Sequence, residues 1–122
     1  MTMTAFKPAP FLGPQGFVDV DSVTNTLRMS THQLADTAGL PRTTVAKRDR
    51  RQGAKAQARL LEMLHILARI DQWAGGYAQA LSWYRAEPIP ALDGRTAEAL
   101  VKDGRAGDVL DYLDHLAVGG YA

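Results

Sequence analysis

The sequence predicts an all-α protein, in which an N-terminal helix-turn-helix bundle is joined through a long central helix to a small helical domain. Two patterns support this fold class. Ala35, Gly39 and Val45 have the spacing of a helix-turn-helix, in which a small residue, a turn glycine and a β-branched residue allow two short helices to pack closely. Residues 54–73 carry apolar side chains at helical spacing on two faces. We find no strand candidate and no internal repeat.

Composition restricts the class of protein further. A chain of 122 residues with 46% hydrophobic residues suits one domain or two small helical modules that share a core. The absence of cysteine excludes disulfides and thiolate metal sites. No apolar run approaches the length of a membrane span, and the first residues lack the basic start and apolar stretch of a secretory signal. We therefore expect a cytoplasmic protein without a membrane partner.

The N-terminal half is predicted to contain an arm and three short helices. Residues 1–16 are rich in proline and glycine and are expected to form a flexible arm. A first helix should begin at Asp19 or Asp21 and end at Leu27. Ser30 is placed to cap the second helix, which Gly39 ends, and Pro41 suits the first turn of the third.

The C-terminal half is predicted to contain four helices. The longest, residues 54–73, has one apolar stripe that includes Leu64 and a second that ends at Trp73, so it should be buried between its neighbours. Helices over residues 77–85, 96–101 and 107–118 should follow, with an irregular segment at residues 86–94, where prolines and a glycine occur. We expect the last helix to bury Val109, Leu110, Leu113, Leu116 and Ala117.

Charge is distributed unevenly, although the net charge of the chain is only +1. Residues 42–59 hold seven cations and one carboxylate, whereas residues 60–122 hold five cations and nine carboxylates. The cations coincide with the third helix and the residues after it, as a phosphate-binding surface requires. A solvated basic loop is the alternative. The predicted DNA-binding residues are Arg42, Thr43, Thr44, Lys47, Arg48, Arg50 and Arg51.

These residues are assigned different roles in recognition. Thr43, Thr44 and Lys47 are expected to reach base edges, and Arg42 and Arg48 to contact mainly phosphates. Helix-turn-helix dimers read two half-sites about one turn (~34 Å) apart. We therefore expect a homodimer that binds operator DNA containing an inverted repeat.

A second motif begins at Trp83 and reads W-Y-x-x-x-P-x-P-x-L-D-G-x-T-x-x-x-L, and the chain then closes on G-D-V-L-x-x-L-x-x-L-x-x-G-G-Y-A. This pattern resembles the toxin-binding domain of the Xre/MbcA/ParS-type antitoxins, in which a helix-turn-helix usually precedes it. The resemblance covers about residues 18–122. One departure is Ala97, where members of the family often have proline. The matching positions are Trp83, Pro88, Leu92, Gly94, Thr96, Leu100, Val109, Leu113, Gly119 and Tyr121.

The resemblance implies a partner and a mode of action. Such antitoxins bind a RES-domain toxin, which degrades NAD or transfers ADP-ribose, cover its active site and repress the shared operon. On this basis the chain divides into a flexible arm (residues 1–16), a DNA-binding region (17–53) and a toxin-binding domain (54–122). We assign toxin binding to Trp83, Ile89, Leu92, Gly119, Gly120, Tyr121 and Ala122.

The terminal residues carry a more specific hypothesis. Gly119 and Gly120 could let Tyr121 and the carboxylate of Ala122 enter or cover a cationic NAD pocket of the toxin. The alternative is that Tyr121 folds back on the last helix.

Two other function classes are considered. A stand-alone transcriptional regulator, with a dimerising or ligand-sensing C-terminal domain, would also fit a helix-turn-helix. Catalysis is not expected, because no arrangement of nucleophile, base or paired acids is found, and neither a cofactor nor a metal is expected. Asp111, Asp114 and His115 resemble a metal trio, but Asp108, Asp111 and Asp114 more simply form the solvated face of an amphipathic helix.

Overall fold

The computed structural model describes residues 11–119 and shows helices throughout that range. Extended pairing among these residues is restricted to two isolated β-bridges, Leu12 with Val18 and Ile89 with Arg95. A short 3₁₀ turn occupies Pro90–Leu92. The prediction of an all-α fold is confirmed. The α-helices are α1 (Val20–Leu27), α2 (Thr31–Ala38), α3 (Arg42–Ala46), α4 (Arg48–Arg51), α5 (Ala54–Ala74), α6 (Tyr77–Ala86), α7 (Ala97–Lys102) and α8 (Ala106–Gly119).

Side-chain caps begin three of these helices. Asp19 accepts from the backbone N–H of Ser22 at 3.2 Å at the start of α1. Ser30 and Gln33 form a reciprocal capping box at the start of α2. Thr96 accepts from the backbone N–H of Ala99 at 3.1 Å. Each cap satisfies a backbone donor that the first helical turn leaves without a partner, which explains why these helices begin where they do.

The helix-turn-helix has the predicted packing. Ala35 and Val45 are fully buried, and Leu40 packs against the core. Gly39 takes a left-handed conformation with φ +72° and ends α2. The N–H of Leu40 then donates to the carbonyl of Ala35 at 2.9 Å, which closes the turn. The predicted roles of Ala35, Gly39 and Val45 are confirmed.

The third helix differs from its prediction. It ends at Ala46, because Lys47 is extended with φ −105° and ψ 127°, and α4 begins at Arg48. Pro41 precedes α3 as its N-cap and lies outside its first turn. Arg51 donates from Nη2 to the carbonyl of Ala46 at 3.3 Å, so a side chain takes the place of a helical hydrogen bond at the end of α3.

The expectation of a flexible arm is wrong for residues 11–16. Phe11 is 1% exposed and packs edge-to-face on Tyr77, with 5.4 Å between ring centroids. The N–H of Asp19 donates to the carbonyl of Phe11 at 2.7 Å, which closes a small loop. The proline and glycine content predicted flexibility, but it does not report the burial of one aromatic side chain, and this burial is what holds the segment in place. Residues 1–10 lie outside the described residues.

Helix α5 is the central element, as predicted. It contacts α2, α4, α6, α7 and α8. Trp73, in its last turn, is the exception to the predicted burial, since it is 40% exposed. Ala117, near the end of α8, is likewise exposed although it was expected in the core. Helical periodicity predicts burial only where a neighbouring element continues alongside, and both residues lie close to helix ends. The buried side chains of α5 include Leu60, Met63, Leu64, Ile66, Leu67, Ala68 and Ile70.

One hydrophobic cluster runs through the described residues and includes side chains from both halves of the chain. Gln57, which is 9% exposed, joins the halves through both ends of its amide. Its Oε1 accepts from the N–H of Val18 at 3.0 Å, and its Nε2 donates to the carbonyl of Arg51 at 2.7 Å. The packing is therefore continuous across residue 53, and a division of the chain there is a proposal about function.

Two arginines of the C-terminal half also bind α2. Arg59 donates from Nη1 to the carbonyl of Ala38 at 2.9 Å, where the helix leaves acceptors unsatisfied. Arg85 donates from Nη2 to Oγ1 of the buried Thr37 at 2.9 Å. The last turn of the first helix of the helix-turn-helix is thus held by residues of α5 and α6.

We predict that Gly39→Ala destabilises the protein more than Gly104→Ala. Both glycines have φ between +70° and +80°, where a residue with a Cβ loses roughly 1–2 kcal/mol. A Cβ on Gly39 would also lie 2.7 Å from Cγ of Lys102, whereas a Cβ on Gly104 would meet nothing within 4 Å. The close approach should add about 1 kcal/mol or more. Urea unfolding measures both losses, and equal losses would contradict this role of the turn.

Candidate DNA-binding and toxin-binding surfaces

The predicted DNA-binding residues lie on and after α3, and five of them are exposed. Arg42 is one of these and pairs with Asp36, whereas the other four make no side-chain hydrogen bond or ion pair within residues 11–119. These four are Thr43, Lys47, Arg48 and Arg50. Thr43 lies on α3, Lys47 in the break after it, and the two arginines on α4. The predicted recognition element is therefore a five-residue helix followed by a bend and one further helical turn. We call these four residues the basic surface.

Arg42 lies on α3 but is held by α2. Its Nε donates to Oδ1 of Asp36 at 3.1 Å, and its Nη2 donates to Oδ2 at 2.7 Å. This bidentate hydrogen bond lowers the pKa of Asp36. The charge of Arg42 is thus balanced by a carboxylate on the neighbouring helix, which sequence spacing did not reveal.

Arg51 and Thr44 are half-buried, unlike the basic surface. Nε of Arg51 is buried and has no hydrogen-bond partner within residues 11–119. Its guanidinium instead contacts the end of α3. Thr44 lines a cleft of about 480 Å³ between the turn before α3 and the first turns of α5, beside Lys55 and Arg59. We therefore leave both residues out of the proposed contact with bases.

The predicted toxin-binding segment forms a closed turn. The N–H of Ile89 donates to the carbonyl of Arg95 at 3.0 Å, and the carbonyl of Ile89 accepts from Leu92 and Gly94, each at 2.9 Å. Ile89 is 1% exposed, so its side chain is part of the core and does not form a surface for a partner. The expectation that Ile89 contacts the toxin is therefore wrong. Leu92, at the top of the same turn, is half-buried.

The other predicted toxin-binding residues differ in how far they are buried. Trp83 is half-buried and packs against the core, and its neighbour Tyr84 is fully buried. Burial raises the pKa of Tyr84 above its usual value, and its hydroxyl has no hydrogen-bond partner in the described part of the chain. Gly119 is exposed at the end of α8. Gly120, Tyr121 and Ala122 lie outside the described residues, so the hypothesis about the terminal tail stays a prediction.

A groove of about 350 Å³ lies between the 3₁₀ turn and α8. From α8 it is lined by Asp108, Asp111, Tyr112 and His115, which lie at positions i, i+3, i+4 and i+7 and so share one face of the helix. Ala91 and Leu92 form the opposite wall. Sequence reasoning selected Leu92 but missed Tyr112, although the helical spacing with Asp108 was a signal that could have found it.

The carboxylates of α8 differ in their partners. Asp108 accepts from Nε of Arg105 at 2.8 Å, and Asp114 pairs with Nη1 of Arg69 on α5 at 2.8 Å. No cation of the described chain lies within ion-pair distance of Asp111, which is exposed. Residues 11–119 contain no group of three or more His, Cys, Asp or Glu side chains arranged to hold a metal ion. The outer face of α8 is thus an aromatic and acidic surface on which the carboxylate of Asp111 is open to a partner.

No helix within residues 11–119 has the length and apolar character needed to cross a membrane.

Comparison with known protein families identifies the C-terminal half. Residues 69–119 match the model of the antitoxin Xre/MbcA/ParS C-terminal toxin-binding domain. Neither the comparison with curated proteins nor that with solved structures gave a match. The matched residues extend from the end of α5 through α8, and they include the 3₁₀ turn and the whole groove beside it. The resemblance inferred from the motif is confirmed over residues 69–119, which are similar to the toxin-binding domain of the Xre/MbcA/ParS antitoxins.

Proposed function

We propose that this protein is an antitoxin that binds a RES-domain toxin, occludes its active site and represses its own operon. The observation that carries the proposal is the packing of a toxin-binding domain and a helix-turn-helix on one core, with an exposed basic surface on the latter. One chain can then bind an enzyme through its C-terminal half and DNA through its N-terminal half. A stand-alone regulator would need no toxin-binding domain.

Charge supports the choice of partner. A toxin that consumes NAD must bind a pyrophosphate, so its active-site cleft should be cationic. Residues 60–122 hold nine carboxylates against five cations, and Asp111 is exposed on α8. An acidic surface favours encounter with a cationic cleft and suppresses binding to acidic proteins. The RES-domain assignment itself rests on the resemblance of the motif that begins at Trp83.

Repression is proposed to follow from a homodimer on an inverted repeat. Helix-turn-helix proteins place the second helix in the major groove, and two copies read half-sites about one helical turn (~34 Å) apart. Thr43 and Lys47 are the exposed residues of the predicted base-reading set, and we assign contact with phosphates to the exposed Arg48 and Arg50.

We predict that the full-length protein forms a stable complex with the RES-domain toxin encoded beside it and stops consumption of NAD by the purified toxin. Co-purification and an NAD assay measure the two effects. A toxin that stays fully active with a molar excess of this protein would contradict the proposal. Operator binding without any complex with the toxin would favour the stand-alone regulator.

We predict that the Thr43→Ala/Lys47→Ala double variant binds its operator more weakly, by about 1–3 kcal/mol for each hydrogen bond to a base that the substitutions remove. Both side chains are exposed, so the fold should persist. Fluorescence anisotropy with operator DNA measures the change in affinity. Inhibition of the toxin by the same variant is the control and should be unchanged. Equal operator affinity for wild type and variant would remove α3 from the recognition surface.

We predict that Asp36→Asn strengthens binding to any DNA duplex by a few-fold at low salt. The substitution removes a carboxylate near the phosphates and releases Arg42 from its bidentate partner. Asp111→Asn changes the net charge equally but lies on α8, so it is the matched control. Salt titrations of both variants measure the difference, and equal increases in affinity for the two would show that only net charge matters.

A further inference from the structure

We propose that the groove between the 3₁₀ turn Pro90–Leu92 and α8 is the binding site for an arginine side chain of the partner toxin. This inference rests on the proposed function and names the contact that would hold the toxin. The groove is lined by Ala91, Leu92, Asp108, Asp111, Tyr112 and His115.

The position of the groove distinguishes it from the other clefts described in residues 11–119. All of its lining residues lie within residues 69–119, which match the toxin-binding domain. A second cleft is lined by residues between 13 and 52, in the N-terminal half. The third is lined by residues between 39 and 62 and by Gly104, and it lies mainly beside the helix-turn-helix. Of these three clefts, the groove beside α8 is the one lined wholly by residues of the segment that matches the toxin-binding domain.

The wall of the groove is closed by hydrogen bonds within the chain itself. Ile89 is buried and anchors the turn, and three backbone hydrogen bonds of 2.9–3.0 Å close the turn on it. Arg95 braces the far side through Asp103, with 3.2 Å between Nη1 and Oδ2. Leu92 is thus held in place in the free protein. A preorganised surface binds more tightly, since little conformational freedom is removed on association.

The charge of the groove selects a cation. Asp111 is exposed and has no ion-pair partner among the described side chains, whereas Asp108 already accepts from Arg105. The free carboxylate lies on the same helical face as Asp108, Tyr112 and His115. A partner side chain that enters here should therefore carry positive charge.

The aromatic and apolar walls favour arginine over lysine. A guanidinium is planar, stacks on an aromatic face and forms two parallel hydrogen bonds with a carboxylate, whereas an ammonium is compact and strongly hydrated. Tyr112 is half-buried, which holds its ring against the core and leaves part of it accessible. Leu92 and Ala91 can cover the methylene groups of the same side chain.

The test measures binding of the full-length protein to the purified RES-domain toxin encoded beside it, by calorimetry at about 0.05 M and about 0.5 M NaCl. Asp111→Asn should raise Kd by about tenfold or more at low salt and by less at high salt, because the substitution removes a charge-assisted hydrogen bond. Tyr112→Leu keeps an apolar side chain but removes the ring, and it should raise Kd several-fold at both salt concentrations.

Asp21→Asn is the matched control, since Asp21 is also an exposed carboxylate but lies on α1, and its Kd should stay within about twofold of the wild type. Circular dichroism and the thermal midpoint check that each variant is folded. Wild-type affinity in both groove variants would overturn the groove while leaving the proposed function intact. A wild-type protein that does not bind the toxin would overturn both.

A second copy of this chain is the competing occupant, because its own exposed arginines could enter the groove. Sedimentation of the protein alone measures its oligomeric state and so distinguishes a second copy from the toxin as the occupant. Self-association that Asp111→Asn abolishes would assign the groove to a contact between copies and overturn the proposal. An oligomeric state that Asp111→Asn leaves unchanged, together with weakened toxin binding, supports it.

Discussion

Burial of α5 on most of its circumference is the constraint on which the rest of the structure depends. Leu64, Met63 and Ile66 are fully buried on different faces of the helix, and no single neighbour can cover side chains that point in several directions. Elements from both halves of the chain must pack around this helix, so the helix-turn-helix and the toxin-binding domain share one hydrophobic cluster. The candidate DNA-binding and toxin-binding surfaces are thereby placed on different parts of a single packing unit.

Polar side chains complete the junction where the backbone leaves groups unsatisfied. Gln57 bonds to backbone at both ends of its amide, and Arg59 and Arg85 bond to the last turn of α2. A buried polar group without a partner costs free energy comparable to that of a hydrogen bond, so these contacts give the two halves a defined relative position. The orientation of α3 follows from that position, since α3 packs directly on α2.

Local pairing decides which charges remain available to a partner. Asp36 balances Arg42, Arg105 balances Asp108, and Arg69 balances Asp114. The net charge of a segment therefore overstates its free charge in both halves of the chain. On the basic surface the cations without a partner are Lys47, Arg48 and Arg50, and on α8 the carboxylate without a partner is Asp111. Binding of a partner should therefore depend on these residues more than on the net charge of the segments that contain them.

The sequence by itself determined the elements whose cause is local. Helical spacing predicted α5, Ser30 and Thr96 predicted the starts of α2 and α7, and Ala35, Gly39 and Val45 predicted the helix-turn-helix. The motif that begins at Trp83 identified the antitoxin domain before any contact was known. Caps, turns and periodic apolar stripes act over a few residues, so the residues that cause them are adjacent in the chain.

Only the tertiary structure decided features that depend on residues distant in the chain. Phe11 is buried because Tyr77 lies beside it, and Ile89 is an anchor because the bridge to Arg95 turns it inward. The groove likewise exists because α8 packs close to a turn about twenty residues earlier in the sequence. Burial, ion pairing and the shape of a groove depend on residues that are close in space but distant in the chain. A sequence pattern shows which residues are neighbours only within one helix or turn.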